Sequence, residues 1–354
     1  MLKRIIELQG TGTGKSFLFI PINTRDRFPT NSQLEEISNF HPDAVVSTDL
    51  NNTSDNVDSK KMQALQKLKA TLIYLDHHGV PDEPWVKQWK FLANPNPIPD
   101  PANQPRWQRS NSAFVTKLFD LSESWQEEVG LRGDMGLARD SSNRQKAADM
   151  LNALGQAEKR GETEEQIAQR RVRLVQAISQ AQSAEAFLKI MKTEYSDLFE
   201  YYQTIESDIK SNADLAFAKA TEDTPKVTIS SLQASIVLGK SISQDKTIIV
   251  HKIESGINII DPVLKLTLSK LESSGQEATI IFIQELDNGR SVIYFLSTDR
   301  NHNNQDAPAN CRTVALALGG GGHYHRSGTV VETKKADEVV RLAIGYFLGT
   351  KPLP

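Results

Sequence analysis

The chain is poor in cysteine, in long apolar runs and in net charge, and each shortage excludes a class of protein. Cys311 is the only cysteine in 354 residues, which excludes a disulfide framework and a cysteine-based zinc site. No uninterrupted apolar run reaches the ~20 residues of a transmembrane helix. The opening, MLKRIIELQGTGTGKS, lacks the apolar stretch of a secretory signal, so we expect a cytoplasmic protein without membrane contact. A net charge of −3 argues against a strongly basic protein that coats nucleic acid, although a local basic groove is compatible with it.

The first third of the chain alternates strand-like and helix-like segments. The predicted strands are Ser16–Ile20, Ala44–Leu50 and Thr71–Leu75, with helices at Asn31–Phe40 and Lys61–Lys69 between them. This alternation predicts a parallel sheet with crossover helices. Ligands of such sheets bind at the carboxyl ends of the strands, so the residues that follow each strand are the first candidates for a site.

Two regions of different composition follow. From Ser141 to Ser211 the chain is rich in Gln, Glu, Arg and Ala, with apolar residues near a period of 3.6, which predicts a mostly helical insertion. From about Pro225 strand-like and helix-like segments return and predict a second, smaller α/β domain. We therefore expect an α/β protein in three parts: a parallel-sheet domain (1–140), a helical insertion (141–225) and a C-terminal α/β domain (226–354), with the active cleft between the two α/β domains.

The N-terminal segment QGTGTGKS resembles a phosphate-binding P-loop but does not match it. The motif needs a glycine five residues before the Gly-Lys pair, and Gln9 stands there. A strand-like segment also follows the motif, where the P-loop needs a helix. The sequence favours a flexible turn, and ATP binding is set aside.

Polar residues capable of holding a metal follow the predicted strands. Asp76, His77 and His78 come directly after Thr71–Leu75, and Asp49 closes the preceding strand. Carboxylate and imidazole together suit Mn²⁺, Fe²⁺ or Zn²⁺. Asp134, in GLRGDMG, is predicted to lie in a Gly-flanked turn, where the backbone can approach a ligand closely.

A glycine-rich segment near the C-terminus offers a different kind of site. LGGGGHYHRSG contains Gly319, Gly320, Gly321 and Gly322 followed by His323. Consecutive backbone N–H groups with a histidine suit the binding of an anion such as phosphate.

In this order, strand–Asp, LDHHG, GDMG and GGGGH, the chain resembles the DHH phosphoesterases that carry the DHH-associated C-terminal domain. Within them it is most similar to the RecJ-like single-strand nucleases and their archaeal relatives, over about residues 15–140 and 226–350. The resemblance implies metal ligands at Asp49, His77 and Asp134, and catalytic roles for Asp76 and His78, which support the site or contact phosphate. Substrate would be bound by Gly319–Gly322 and His323, and Arg300 matches the family's substrate-binding arginine loosely.

The chain departs from the family pattern in two places. Arg326 stands where the family has small residues, and it either adds a phosphate contact or blocks the pocket. The family's first motif, a histidine with two closely spaced aspartates, is missing, because no Asp or His precedes Ser16. The family uses two ions, Mn²⁺ or Mg²⁺, and without three donors we expect at most one to be held tightly. We therefore expect the reading frame to begin upstream of Met1.

The resemblance implies a hydrolase: a Mn²⁺-dependent phosphoesterase or exonuclease that cleaves phosphodiester bonds in single-stranded DNA, RNA or short oligonucleotides. Two alternatives stay open. One is a catalytically degenerate scaffold that binds replication or repair proteins. The other is a phosphatase of small nucleotides.

Overall fold

The computed structural model describes residues 18–22, 28–48, 59–75, 89, 91–93, 110–120, 125–135, 142–221, 248–286, 289–299, 306–307 and 309–354. Across these residues, no helix is long and apolar enough to cross a membrane. The chain divides into two compact units, Met1–Leu151 with Thr163–Phe199, and Asn152–Glu162 with Glu200–Pro354. The helical region is therefore shared between both units, and the three-part division stays a prediction. The segment QGTGTGKS lies outside the described residues.

A parallel three-stranded sheet forms the first unit's α/β part, and this confirms the predicted parallel arrangement. Strands β1 (Ala44–Thr48), β2 (Thr71–Leu75) and β3 (Phe91–Ala93) lie in sequence order, and all pair in parallel. Helix α1 (Asn31–Phe40) precedes β1, and helix α2 (Ser59–Lys67) connects β1 to β2. The helix α1 begins with a capping box in which Thr30 and Gln33 satisfy each other's backbone N–H groups.

The strand predicted at Ser16–Ile20 is wrong over its described part, since residues 18–22 form no strand. Pro21 follows this segment, and its missing N–H disfavours a strand that continues beyond Ile20. The Pro21 carbonyl instead accepts a hydrogen bond of 3.0 Å from Gln33 Nε2. Ile20 still packs against a buried cluster that includes Phe28, Leu72 and Tyr74.

Helices make up the middle of the chain, as its composition predicts. Two helices, α3 (Asn111–Leu118) and α4 (Trp125–Met135), come before this region. The helices within it are α5 (Asn143–Gln156), α6 (Glu164–Gln180), α7 (Ala184–Thr193) and α8 (Ser196–Thr221). Serine or threonine caps begin α6 and α7, at Thr163 and Ser183. In the first unit, Trp125 packs against Phe187 with ring centroids 5.8 Å apart and donates its indole N–H to the Ala181 carbonyl.

The second unit contains a mixed five-stranded sheet in the order β5-β7-β8-β10-β9. The strands are β5 (Ile248–Lys252), β7 (Thr279–Glu285), β8 (Arg290–Ser297), β9 (Gly321–Gly322) and β10 (Arg326–Glu332). The unit also contains helices α9 (Ile260–Ser274), α10 (Cys311–Ala317) and α11 (Ala336–Leu348). A separate antiparallel ladder pairs strand β4 (Glu158–Lys159) with strand β6 (Ile257–Asn258). One face of the sheet packs Ile281, Ile293 and Phe295 against α10 and α11, in a core that includes Cys311 and Phe347.

Candidate active site

The first candidate region is the carboxyl edge of the parallel sheet. Thr48, the last residue of β1, pairs in register with Leu75, the last residue of β2. Both strands therefore end at the same level, and the residues next in sequence are Asp49 and Asp76. Asp49, Asp76, His77 and His78 lie outside the described residues. What the fold contributes is a shared edge from which both polar segments begin.

Helix α3 begins beside this edge. The Asn111 Nδ2 amide, in the first turn of α3, donates a hydrogen bond to the hydroxyl of Thr48. Ser110 caps the helix, its hydroxyl accepting from the Ala113 N–H at 3.1 Å, and is fully buried. Further along the helix, Val115 packs on Leu75. The N-terminal turn of α3 is thus fixed to the end of β1 by a polar contact and to β2 by an apolar one.

Asp134 lies in helix α4, so the predicted Gly-flanked turn is wrong. Helix-forming residues around it and an ion pair of 3.1 Å between Glu128 and Arg132 favour the helix. The glycine that matters for packing here is Gly130, where a Cβ would come within 2.0 Å of the Ser112 hydroxyl. Glycine in this segment therefore permits close packing of α4 on α3. Nothing in the structure tests Asp134 as a metal ligand, and that role stays a prediction.

The donor chemistry near the sheet edge fits a divalent cation. Within the described ranges, no group of three or more His, Cys, Asp or Glu side chains is placed to hold a metal ion. The predicted ligands, Asp49 and His77, supply the oxygen and imidazole donors that Mn²⁺ accepts. The Asn111 Oδ1 oxygen is also buried and makes no hydrogen bond to any described residue. A buried oxygen without a donor at this edge is compatible with a cation or its water shell. Sequence reasoning missed Asn111, whose only signal is the Ser-Asn-Ser start of a helix.

The second candidate region is the glycine-rich segment, which forms a tight hairpin between β9 and β10. Its turn is closed by two hydrogen bonds between the backbones of His323 and Arg326, of 2.7 and 3.2 Å. A Cβ on Gly320 would lie 2.1 Å from the Gly328 carbonyl oxygen. At Gly322, φ is +136°, in the region that favours glycine. The glycines at these two positions are thus required by the backbone path itself.

Three of the backbone N–H groups in this segment already donate to the chain's own carbonyls. Gly319 and Gly320 donate to Leu316 and Ala315 at the end of α10, at 3.1 and 2.8 Å, and His323 donates to Arg326. The His323 side chain is exposed and stacks on the ring of His325 with centroids 5.9 Å apart. Substrate binding by Gly319–Gly322 and His323 stays a prediction. Arg300 lies outside the described residues.

The hairpin turn is anchored to two neighbouring elements. The Cys311 N–H at the start of α10 donates to the Tyr324 carbonyl at 2.9 Å, and the Ser297 N–H at the end of β8 donates to the His325 carbonyl at 2.9 Å. Burial of the His325 ring, with a smaller contribution from the charge of Arg326, lowers the pKa of His325 from 6.5 to about 3. This histidine is therefore neutral at physiological pH.

Comparison with known proteins gives distant structural matches only. No family model matches the chain, and no curated protein matches it. RecJ from Thermus thermophilus in complex with Mn²⁺ is similar over 91% of this chain, with 14% identity and a TM-score of 0.42. The chain spans about half of that protein, namely 47% of its length.

Two further solved structures match at the same level of identity. Exonuclease RecJ bound to manganese has 14% identity and a TM-score of 0.37 over 92% of this chain and 80% of that one. The pGpG-specific phosphodiesterase PggH from Vibrio cholerae has 14% identity and a TM-score of 0.39 over 79% of this chain and 80% of that one. Since these similarities are too low to assign a function, the function is inferred from the chain's own residues.

Proposed function

We propose that the protein is a divalent-metal-dependent phosphoesterase that hydrolyses phosphodiester bonds in single-stranded nucleic acid or short oligonucleotides. The observation that supports this most is the register pair of Thr48 and Leu75. The two parallel strands end at the same level, and Asp49 and Asp76-His77-His78 are the residues that follow them in sequence. In α/β folds the carboxyl edge of the sheet is where ligands bind. The motif order across the whole chain supports the same proposal.

The residues have distinct roles in this proposal. Asp49, His77 and Asp134 hold Mn²⁺ or Mg²⁺, and Asp76 and His78 orient the ligands or contact the phosphate. The bound ion would supply an activated water and charge stabilisation at the phosphorus. In the second unit the exposed ring of His323, which stacks on His325, would contact a phosphate of the substrate.

The glycine-rich hairpin suits this binding role because its backbone is rigid. Four hydrogen bonds position its turn: two that close it and one each to Cys311 and Ser297. A side chain on such a turn loses little freedom when it binds, which favours affinity.

The test is a cleavage assay with the purified chain and Mn²⁺ on end-labelled single-stranded DNA, single-stranded RNA and a dinucleotide. The decisive variant is His77→Ala. A matched histidine control is His41→Asn, because His41 is exposed at the end of α1 and asparagine tolerates its left-handed φ of 50°. We expect cleavage by the wild type and the control, loss with His77→Ala, and loss when the metal is chelated.

Each other outcome counts against the proposal. If no substrate is shortened, the phosphoesterase proposal fails for this chain, and the alternative of a catalytically degenerate scaffold is favoured. If His77→Ala keeps full activity, the metal assignment at the sheet edge is wrong. Cleavage of the dinucleotide alone would count against long single-stranded substrates and leave only short oligonucleotides as substrates of the same site.

A further inference from the structure

Asn111 occupies an unusual position for a polar side chain. It is only 8% exposed and belongs to the first turn of α3. Its Nδ2 amide donates to the Thr48 hydroxyl, while its Oδ1 oxygen is buried and has no hydrogen-bond donor among the described residues. A buried acceptor that lacks a donor is destabilising, so such groups call for a ligand, a water or an ion.

The fold does not need this oxygen for its own stability. Ser110 already provides the cap of α3, and the Ser112 hydroxyl contacts both the Ser110 hydroxyl, at 2.9 Å, and the Glu127 carbonyl, at 3.3 Å. Phe114 and Val115 supply the apolar packing of the helix. The contact to Thr48 uses only the amide nitrogen. Asn111 is therefore joined to Thr48 through its nitrogen, while its oxygen has no hydrogen-bond donor among the described residues.

The location of Asn111 indicates what the oxygen binds. Its partner Thr48 is the residue before Asp49 and pairs with Leu75, the residue before Asp76. Amide oxygens are hard donors of the kind that Mn²⁺ and Mg²⁺ accept, either directly or through the waters that these ions retain. A neutral oxygen at this edge adds a donor without adding to the local negative charge.

We propose that Asn111 supplies a neutral oxygen donor to the hydrated divalent cation at the carboxyl edge of the sheet, and that Thr48 is its positioning residue. This inference rests on the metal site of the proposed function. It adds a ligand from helix α3, which carries none of the four motifs.

The test measures Mn²⁺ affinity by isothermal titration calorimetry on the full chain, without substrate. Asn111→Leu removes the oxygen at similar size and should weaken Mn²⁺ binding about tenfold or more, as for other residues that support metal ligands. Asn111→Asp should strengthen binding, because it keeps the oxygen, adds a charge, and can accept from the Thr48 hydroxyl. Thr48→Val should weaken binding to a smaller extent.

Matched controls separate this role from loss of folding. Thr116→Val removes a buried hydroxyl from the same helix and should leave Mn²⁺ affinity unchanged. Urea unfolding of each variant identifies any that are misfolded. Asn111→Asp keeps the test decisive if Asn111→Leu does not fold, since aspartate is favourable at a helix N-terminus.

The result that overturns the inference is Mn²⁺ binding that is lost in His77→Ala but unchanged in Asn111→Leu. Weaker binding by a folded Asn111→Asp would also overturn it, because the side chain would then face an anion. If the wild type binds no Mn²⁺, or if His77→Ala binds it equally well, the proposed function itself has failed and this inference falls with it.

Discussion

Gly320 lies so close to Gly328 that a Cβ on Gly320 would come within 2.1 Å of the Gly328 carbonyl oxygen. The two residues belong to the segments that lead into β9 and run along β10, so the glycine allows the hairpin to close. The Gly320 N–H also donates to Ala315 at the end of α10. One residue thus joins the hairpin to the preceding helix.

We expect Gly320→Ala to destabilise the second unit. The added methyl group must displace backbone atoms rather than a flexible side chain, and overpacking of this kind costs about 1–3 kcal/mol. Urea unfolding measures the loss. Gly155→Ala is the matched control, since nothing lies within 4 Å of its Cβ and alanine favours helix α5 by about 0.5–1 kcal/mol. Equal stability of the two variants would contradict the packing seen at Gly320.

The stability of the protein should decrease with acidification because of His325. Its pKa is lowered to about 3 in the folded chain, so between pH 6.5 and 3 the unfolded chain binds a proton that the folded chain does not. The contribution of the neutral His325 ring to the free energy of unfolding is complete above pH 6.5 and declines as the pH falls. His325→Phe keeps an aromatic ring beside Tyr324, whose ring centroid is 5.1 Å away, and removes the titration.

The measurement compares urea unfolding at pH 7.5 and pH 5 for the wild type and His325→Phe. We expect the wild type to lose roughly 1–2 kcal/mol more than the variant over this range, since each unit of pKa difference corresponds to about 1.4 kcal/mol. Equal losses of unfolding free energy in the wild type and in His325→Phe would show that His325 titrates normally in the folded state.

Cys311 should be inert in the native protein. It is completely buried in the second unit's core beside Phe295 and Phe347, and burial raises the pKa of its thiol far above the usual range. Since the reactive species is the thiolate, we expect no reaction with a thiol reagent until the unit unfolds. Because Cys311 is the only cysteine, the absorbance of the chromophore that the reagent releases on reaction reports on this residue alone. Immediate stoichiometric labelling without denaturant would show that this core is open.

The ion pair between Arg173 and Asp197 should contribute little to stability. Two hydrogen bonds of 2.7 Å join the guanidinium to both carboxylate oxygens. These bonds lower the pKa of Asp197. The pair's contribution is therefore present at neutral pH and lost as the pH falls through that lowered pKa. However, the side chains are 39% and 64% exposed, which limits the coupling to about 1 kcal/mol or less.

A double-mutant cycle with Arg173→Gln and Asp197→Asn measures this coupling. The cycle is needed because Arg173 also lies over the Tyr195 ring, 5.5 Å from its centroid, and the single substitution loses that contact as well. Coupling of several kcal/mol would mean that the pair is more shielded from water than the structure indicates.

Local patterns predicted most of the regular structure. The strands predicted at Ala44–Leu50 and Thr71–Leu75, the helix predicted at Asn31–Phe40 and the helical composition after residue 141 are confirmed over the described residues. The failures occurred where a single residue opposed the pattern. Pro21 interrupts an apolar run that reads as a strand, and the glycines around Asp134 suggest a turn although the segment is helical.

The sequence by itself determined the order of the polar motifs, which is read directly along the chain. It also determined the parallel direction of β1 and β2, because a helix that connects two neighbouring strands makes them parallel. The tertiary structure decided the pairing of Thr48 with Leu75, the burial of Asn111 against Thr48, and the approach of Gly320 to Gly328. Asn111 and Thr48 stand 63 residues apart, and no local pattern encodes their contact. An orphaned oxygen becomes visible only when packing removes it from water, because the same side chain is satisfied by solvent in the unfolded chain.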